Sequence, residues 1–176
     1  MSKRIASSKA STVSNAERDI RNRLSGHELD FTAMSAVSNI YRSASAVRNH
    51  MERAVLSDDD LSWVAFTVLW VLWIWGEQET GHVAAEAGIT KGTLTGVIKT
   101  LQARKLLRRT PHLDDRRRVS ISLTKAGERL IEQVFPKFNQ HETLAVSALS
   151  HAEQRELARL LRLIMGGIGA VDETSH

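Results

Sequence analysis

The sequence predicts a mainly α-helical fold with a small two- or three-stranded β-wing, that is, a winged helix-turn-helix flanked by dimerisation helices. Two observations predict this fold. Residues 89–127 read as a helix, a strand, an arginine-rich turn and a second strand, and apolar stripes at helical spacing lie before and after them. With 176 residues, of which 42% are hydrophobic, the chain is expected to form one domain with its own core.

The N-terminal part contains two predicted segments. Residues 1–25 begin with a basic, serine-rich stretch that has no apolar segment, so we expect a flexible basic arm or a short extra helix instead of a secretory signal. Residues 26–60 are predicted to contain the N-terminal dimerisation helix, because apolar side chains recur at steps of three and four from Phe31 to Val55. Arg48 interrupts that seam, where a charge requires a partner.

Residues 61–75, LSWVAFTVLWVLWIW, are apolar on nearly every side and carry no charge. The stretch is shorter than the 18 or more residues of a typical membrane span, so it is predicted to be a buried core helix, and no membrane partner is expected. Trp63, Phe66, Trp70 and Trp73 fall on one helical face, whereas Trp75 is expected to point elsewhere. This aromatic stripe is either plain core packing or the wall of a pocket for an aromatic ligand.

A helix-turn-helix is predicted from Glu79 to Leu101. A short helix over Glu79–Ala87 is followed by Gly88, which can supply the turn, and Thr90 is expected to cap the second helix through its hydroxyl. Four positions of the second helix form its predicted outer face and suit base edges and phosphate oxygens in a major groove. They are Lys91, Thr93, Thr95 and Lys99.

Leu106–Pro111 and Val119–Leu123 are predicted to be the strands of the wing. The alternation of the second strand places Val119, Ile121 and Leu123 inward, with Ser120 and Ser122 outward. The turn between the strands reads LDDRRR, and arginines at a wing tip can enter a narrow minor groove, where Asp115 could brace Arg117. For an isolated charge run, simple solvation would be the preferred interpretation, but beside a helix-turn-helix the nucleic-acid interpretation is favoured.

The charge of the chain is concentrated in this module. Residues 91–129 contain eleven lysines and arginines against three acidic residues, a net charge of +8, whereas the whole chain carries +4. A field concentrated on one module indicates a polyanionic partner.

Residues 126–176 are predicted to form C-terminal dimerisation helices. One runs from Thr124 to about Leu149 with Pro136 expected to bend it, and the next begins at Ser150, whose partner Glu153 completes a capping box. Their apolar stripes exceed what a small winged helix can cover. We expect a two-fold homodimer to bury this apolar surface.

Three motifs resemble the MarR family of bacterial winged-helix transcription regulators. They are Leu-Ser at 61–62, AAEAGITKGT at 84–93, and DRRR at 115–118 followed by SLTKAG at 122–127. The resemblance implies that residues 61–125 form the DNA-binding module. It also implies a homodimer that binds a pseudo-palindromic operator on double-stranded DNA in the bacterial cytoplasm, at the nucleoid, and releases it when a small aromatic acid binds.

Two sets of site residues follow from the residues and the resemblance together. The DNA-binding set is Thr90, Lys91, Thr93, Thr95, Lys99, Asp115, Arg116, Arg117 and Arg118. The ligand-binding set is Arg42, Arg48, Trp63, Phe66 and Trp70, in which an arginine would hold the carboxylate of the ligand against the aromatic rings.

Other classes of function have little support in the sequence. The absence of cysteine excludes a disulfide framework and a thiol switch, and no catalytic or phosphate-binding motif is present. The seven histidines lack a recurring ligand spacing, so they are expected to be surface or capping residues, and neither a metal nor a cofactor is expected. Two alternatives stay open: a constitutive or architectural DNA-binding protein with tryptophans that serve only as core, and a module whose basic patch meets an acidic partner.

Overall fold

The computed structural model describes residues 2–111 and 119–174, with side chains for residues 12–111 and 119–169. This part of the chain is mainly helical with a small antiparallel sheet, which confirms the predicted fold class. Its elements are α1 (Ser2–Arg23), α2 (Phe31–Ala54), α3 (Trp63–Trp75), β1 (Gln78–Glu79), α4 (Thr80–Glu86), α5 (Lys91–Ala103), β2 (Leu107–Pro111), β3 (Val119–Leu123), α6 (Lys125–Ala145) and α7 (His151–Thr174). The chain divides into two compact units, one ending at Arg48 and one beginning at Asn49.

The first unit consists of α1 and most of α2. Asp30 caps α2, because its Oδ1 accepts from the backbone N–H groups of Thr32 and Ala33 at 2.9 Å each. The Arg21 guanidinium lies 5.8 Å from the centre of the Phe31 ring, within the range of a cation–π contact. The seam predicted along α2 is partly open within this unit, since Tyr41 is 77% exposed.

The second unit is built around a three-stranded antiparallel sheet in the order β1-β3-β2. Ile121 of the central strand pairs with Gln78 of β1 on one side and with Arg109 of β2 on the other. The sequence analysis did not locate β1, because a strand of two residues is too short to show an alternation of apolar and polar side chains. The core of the second unit includes fully buried side chains from helices and sheet, among them Met51, Leu69, Leu94, Leu101, Ile121 and Ile131.

The prediction that Ser120 and Ser122 face outward is wrong. Both serines are 7% exposed, because β3 is the central strand and is also contacted by α3, α4 and α6. The neighbouring strands occupy its edges and the helices pack against it, so its side chains have little access to solvent. The hydroxyl of Ser122 is satisfied by Arg108, whose Nε donates to it at 2.9 Å.

The start of α6 is fixed by Thr124 and Gly127. The Thr124 Oγ1 accepts from the N–H of Gly127 at 3.1 Å and donates to the carbonyl of Lys105 at 2.7 Å. A Cβ atom on Gly127 would overlap the carbonyl oxygen of Leu106. The motif SLTKAG therefore has a structural reason: the threonine caps the helix, and the glycine lets two backbone segments meet.

The capping box predicted for the last helix is confirmed. The N–H of Ser150 donates to Glu153 Oε2 at 2.7 Å, and the N–H of Glu153 donates to Ser150 Oγ at 3.3 Å. The hydrogen bonds from Ser150 lower the pKa of the Glu153 carboxyl. Downstream, α7 exposes an apolar stripe: Leu157, Leu160, Leu163, Ile164, Met165 and Ile168.

Pro136 lies inside α6, which continues as an α-helix to Ala145. Within the described residues, no helix has both the length and the apolar character needed to cross a membrane.

Candidate nucleic-acid interface and ligand cleft

The turn between α4 and α5 has the geometry that the sequence predicted. Gly88 has a φ of +62°, a left-handed conformation that glycine adopts without the steric cost of a Cβ. The N–H of Ile89 donates to the carbonyl of Ala84 at 3.0 Å, which satisfies a carbonyl at the end of α4. Because Val83 and Ala84 are buried, α4 is anchored in the core and the turn sets the direction of α5.

Thr90 caps α5 as predicted. Its Oγ1 accepts from the N–H of Thr93 at 3.1 Å, and its carbonyl accepts from the N–H of Leu94 at 3.0 Å. The two hydroxyls of Thr90 and Thr93 are also 2.9 Å apart and share a hydrogen bond. The first turn of α5 is thus ordered before any partner binds.

The two faces of α5 differ sharply in burial. Leu94, Ile98 and Leu101 are at most 4% exposed and pack into the second unit. The four predicted contact residues all lie on the exposed side: Lys91, Thr93, Thr95 and Lys99. We call these four exposed residues the outer face of α5; they supply two cationic side chains and two short hydroxyls.

The hydroxyl of Thr95 is oriented by its own helix. Its Oγ1 donates to the carbonyl of Lys91 at 2.9 Å, so its proton is used within α5 and its lone pairs stay available. Such an oxygen can accept from the amino group of adenine or cytosine in a major groove.

Arg109 is a candidate contact residue that the sequence analysis did not select. It is exposed on β2, and together with Lys91, Thr95 and Val119 it lines a cleft of about 240 Å³ between α5 and the wing. The residue was counted only in the net charge, because strand alternation alone does not show which arginine faces the neighbouring helix.

Other basic residues of the module have structural partners. The Arg104 guanidinium donates to the carbonyls of Asp60 and Asp59 at 2.8 and 2.7 Å, which ties the end of α5 to the turn before α3. Arg108 is bound to Ser122. Part of the positive charge of the module therefore stabilises the fold through intramolecular hydrogen bonds and is not free for a polyanionic partner.

The wing tip lies outside the described residues. The strands are in register up to the pair formed by Pro111 and Val119, and residues 112–118 join them. The roles of Asp115, Arg116, Arg117 and Arg118 stay predictions.

The structure brings Trp63, Phe66 and Trp70 together in one cleft of about 340 Å³ between α3 and α6. Phe66 stacks on Phe138, with ring centres 4.1 Å apart and planes at 18°. The cleft is also lined by residues that the sequence analysis did not assign to it: Thr67, Phe135, Phe138 and Glu142. Pairing α3 with α6 requires the tertiary structure, although the apolar stripe that contains Phe138 was recognised.

Two expectations for the tryptophan-rich helix need correction. Its inner side is buried, but Ile74 and Trp75 are 48% and 46% exposed, so the helix is not buried all round. The ring of Trp75 does not point away from the stripe: it meets Trp70 edge-on, with ring centres 5.4 Å apart. The helix ends at Gly76, which is exposed as well.

Arg42 and Arg48 belong to the first unit. Arg42 lines a hollow of about 20 Å³, room for about one water molecule, and Arg48 is exposed on α2. Their predicted role as carboxylate anchors stays a prediction.

His50 and His141 are neither surface nor capping residues, contrary to expectation. Both are half-buried, and Nε2 of His50 lies 2.9 Å from Nδ1 of His141. They face each other because one sits on the last part of α2 and the other on α6, a pairing across 91 positions that sequence spacing does not reveal. Among the described residues, no group of three His, Asp or Glu side chains could hold a metal ion.

An exposed cationic helix behind a capped turn, followed by a two-stranded ribbon, defines the winged helix-turn-helix DNA-binding proteins. The MarR family model matches residues 61–119. The HTH-type transcriptional regulator YwaE of Bacillus subtilis is 40% identical over 136 residues, which span 77% of this chain and 80% of that protein. The chain belongs to the MarR family and is a DNA-binding transcription regulator.

Two further proteins are similar to this chain. The transcriptional repressor NicR of Pseudomonas putida is 28% identical over 105 residues, 60% of this chain and 66% of that protein. A structure of Bordetella bronchiseptica BpsR, solved to explain regulation of its DNA binding by 6-hydroxynicotinic acid, matches with a TM-score of 0.70 at 28% identity. The match covers 74% of this chain and 98% of that one. YwaE and NicR both carry names of transcription regulators.

Proposed function

We propose that this protein binds a pseudo-palindromic operator as a homodimer, represses transcription there, and releases the DNA when a small aromatic acid binds. The observation that carries the proposal is the outer face of α5, where Lys91, Thr93, Thr95 and Lys99 are exposed beside a basic wing. The name of NicR as a repressor and the regulation of BpsR by an aromatic acid support the repressor and effector parts. Such a regulator acts in the bacterial cytoplasm.

On DNA, α5 would lie in the major groove. Lys91 and Lys99 contact phosphates, and the threonine hydroxyls, with Thr90 at the helix start, contact base edges or phosphate oxygens. Arg109 adds a phosphate contact from the flank, because it lines the same cleft as Lys91.

The wing would contact the minor groove. Arg117, braced by Asp115, enters the groove, and Arg116 and Arg118 contact its phosphates. Substituting Arg117 by Ala is expected to weaken operator binding at fixed salt. The Lys137→Ala variant, which removes an exposed charge from α6, is the matched control, and an unchanged affinity of the Arg117 variant would refute the wing assignment.

A homodimer is supported by apolar surface that a single chain leaves open. The stripe on α7 includes Leu163 at 60% and Met165 at 64% exposure, and each is a large apolar side chain. Burial against the same surface of a second chain removes this area from water. A dimer also sets the distance between two recognition helices, and thereby the spacing of the half-sites.

The cleft between α3 and α6 would hold the effector. Its aromatic walls suit a flat ring, and its volume of about 340 Å³ falls in the range of about 300–1,000 Å³ typical of ligand pockets. We assign the rings of Trp63, Phe66 and Trp70 to the ligand ring; Arg42 and Arg48 stay candidates, from sequence alone, for binding its carboxylate.

The experiment that tests the proposal is a selection of bound duplexes from a random DNA library at near-physiological salt. An enriched inverted repeat with half-sites about one helical turn apart is expected, and the absence of an enriched sequence would contradict operator binding. Adding a panel of aromatic acids to the selected complex tests release. If no acid releases the DNA, the constitutive alternative, with tryptophans that serve only as core, replaces the ligand-responsive one.

A further inference from the structure

The cleft between α3 and α6 has a polar composition that restricts its ligand further. Two of its lining side chains are polar without being aromatic: Thr67 and Glu142. None of the described side chains that line it is a lysine, arginine or histidine. Trp63 and Trp70 contribute neutral indole N–H groups. The cleft itself therefore supplies a negative charge and no positive one.

Both non-aromatic polar groups act as hydrogen-bond acceptors. The Thr67 hydroxyl donates its proton to the carbonyl of Trp63 at 2.9 Å, so only its lone pairs remain for a ligand. Glu142 is held by Asn139, whose Nδ2 donates to Glu142 Oε2 at 2.9 Å. A carboxylate has about four lone-pair sites, so this bond leaves capacity for a ligand.

The shape of the cleft selects a flat ring. Two of its lining rings, Phe66 and Phe138, stack with centres 4.1 Å apart, and the Trp63 ring centre lies 5.8 Å from that of Phe138 at an interplanar angle of 45°. A volume of about 340 Å³ exceeds the roughly 150 Å³ of a cavity that binds benzene. One substituted aromatic ring fits, with room for its substituents.

We infer that Glu142 is the specificity-determining residue of this cleft, and that the ligand is an aromatic ring bearing an O–H or N–H donor directed at its carboxylate. This inference rests on the proposed function, because it takes the cleft to be the effector site. A carboxylate on the ligand must then point away from Glu142, since two negative charges repel at short range. The donor and the acid group thus stand at opposite ends of the ring.

The test is isothermal titration calorimetry of the full chain with three probes. They are 4-hydroxybenzoate, benzoate, and benzyltrimethylammonium, which has a ring and a positive charge but no donor. We expect 4-hydroxybenzoate to bind about tenfold more tightly than benzoate, the effect of one hydrogen bond to a charged acceptor. In the Glu142→Ala variant that preference is expected to vanish, while benzoate binding stays unchanged.

The control variant is Glu132→Gln, which removes an exposed carboxylate elsewhere on α6 and should preserve the preference. Circular dichroism confirms that both variants fold. Equal binding of hydroxylated and unsubstituted acids, or a preference that survives in Glu142→Ala, would overturn the inference. Tight binding of benzyltrimethylammonium would also overturn it, by showing that charge alone governs the cleft, as would failure of all three probes to bind.

Release of operator DNA is measured separately, so the two proposals fail independently. A Glu142-dependent preference without DNA release would retain the inference and reject the effector role. If aromatic acids release DNA equally well from the wild type and from Glu142→Ala, the effector role is retained and the inference is rejected.

Discussion

At the scale of single residues, Lys91 and Lys99 test the electrostatic part of DNA binding. Both are exposed on the outer face of α5, and each phosphate neutralised by a lysine releases condensed counterions. Substituting either lysine by Ala is expected to lower the slope of log affinity against log salt by about one. The measurement is fluorescence anisotropy of a labelled operator over a salt series.

The Lys137→Ala variant removes the same charge from α6 and should leave that slope unchanged. If all three variants lower the slope equally, the contribution is the net charge of the chain, and α5 loses its special role.

Gly127 provides a second test at this scale. Because a Cβ there would overlap the carbonyl oxygen of Leu106, Gly127→Ala forces the start of α6 away from the segment between α5 and β2. Overpacking of this kind costs about 1–3 kcal/mol. Urea unfolding measures the change, and Gly81→Ala, a helical position with no heavy atom within 4 Å of the added Cβ, is the control. A variant as stable as the wild type would show that the contact relaxes without cost.

The exposure of the outer face of α5 was predictable because the buried residues of this helix follow one helical period. Thr90 is recognisable as a cap from its type and position, and the buried residues Leu94, Ile98 and Leu101 then recur at steps of four and three. The positions of Glu142 and Arg109 in their clefts were not predictable in this way, since each cleft is formed with a second element of the structure. Residue periodicity predicts which side of a helix is exposed, but it does not predict which other element of the structure lies next to that side.

At the scale of elements, α7 depends on its N-terminal capping box. Hydrogen bonds from Ser150 lower the pKa of Glu153, so this cap contributes stability above the pKa of the unfolded carboxyl and loses it as the pH falls through the lower folded value. Ser150→Ala is expected to reduce the melting temperature at neutral pH, and the difference from wild type should shrink in acid. Thermal circular dichroism at several pH values measures this.

The neighbouring Ser147→Ala variant, also exposed but outside the capping box, should behave as the wild type. A Ser150 effect that is constant with pH would contradict the role of the ionised Glu153.

The strands show how a local pattern can mislead at this scale. The alternation in β3 predicted outward serines, yet Ser120 and Ser122 are buried because β1 and the helices cover the strand. Alternating apolar and polar residues usually indicate a strand with one face in solvent. The central strand β3 shows the same alternation although β1, β2 and the helices surround it. By contrast, the predicted start of α5 and both predicted ends of β3 are accurate because Thr90, Val119 and Leu123 delimit strong periods.

At the scale of the whole second unit, α3 connects the cleft that it forms with α6 to the helix-turn-helix and the sheet. One side of α3 forms the cleft with α6, and the helix also contacts α4, α5 and β3. A ligand that shifts α3 would therefore move the helix-turn-helix through packed side chains. This contact gives a physical basis for coupling, which a ligand achieves only by binding two arrangements of α3 with different affinity.

The largest-scale prediction concerns the dimer, on which the operator proposal depends. Two recognition helices bound to linked half-sites gain affinity because the second binding step is intramolecular. Placing glutamates in the exposed stripe of α7, as Leu160→Glu with Ile164→Glu, should give the mass of a single chain by light scattering, with helicity retained. Operator affinity should fall sharply, while binding to an isolated half-site stays unchanged. Arg155→Glu, on the polar side of α7, should remain dimeric, and a double variant that keeps the dimer mass would move the interface away from α7.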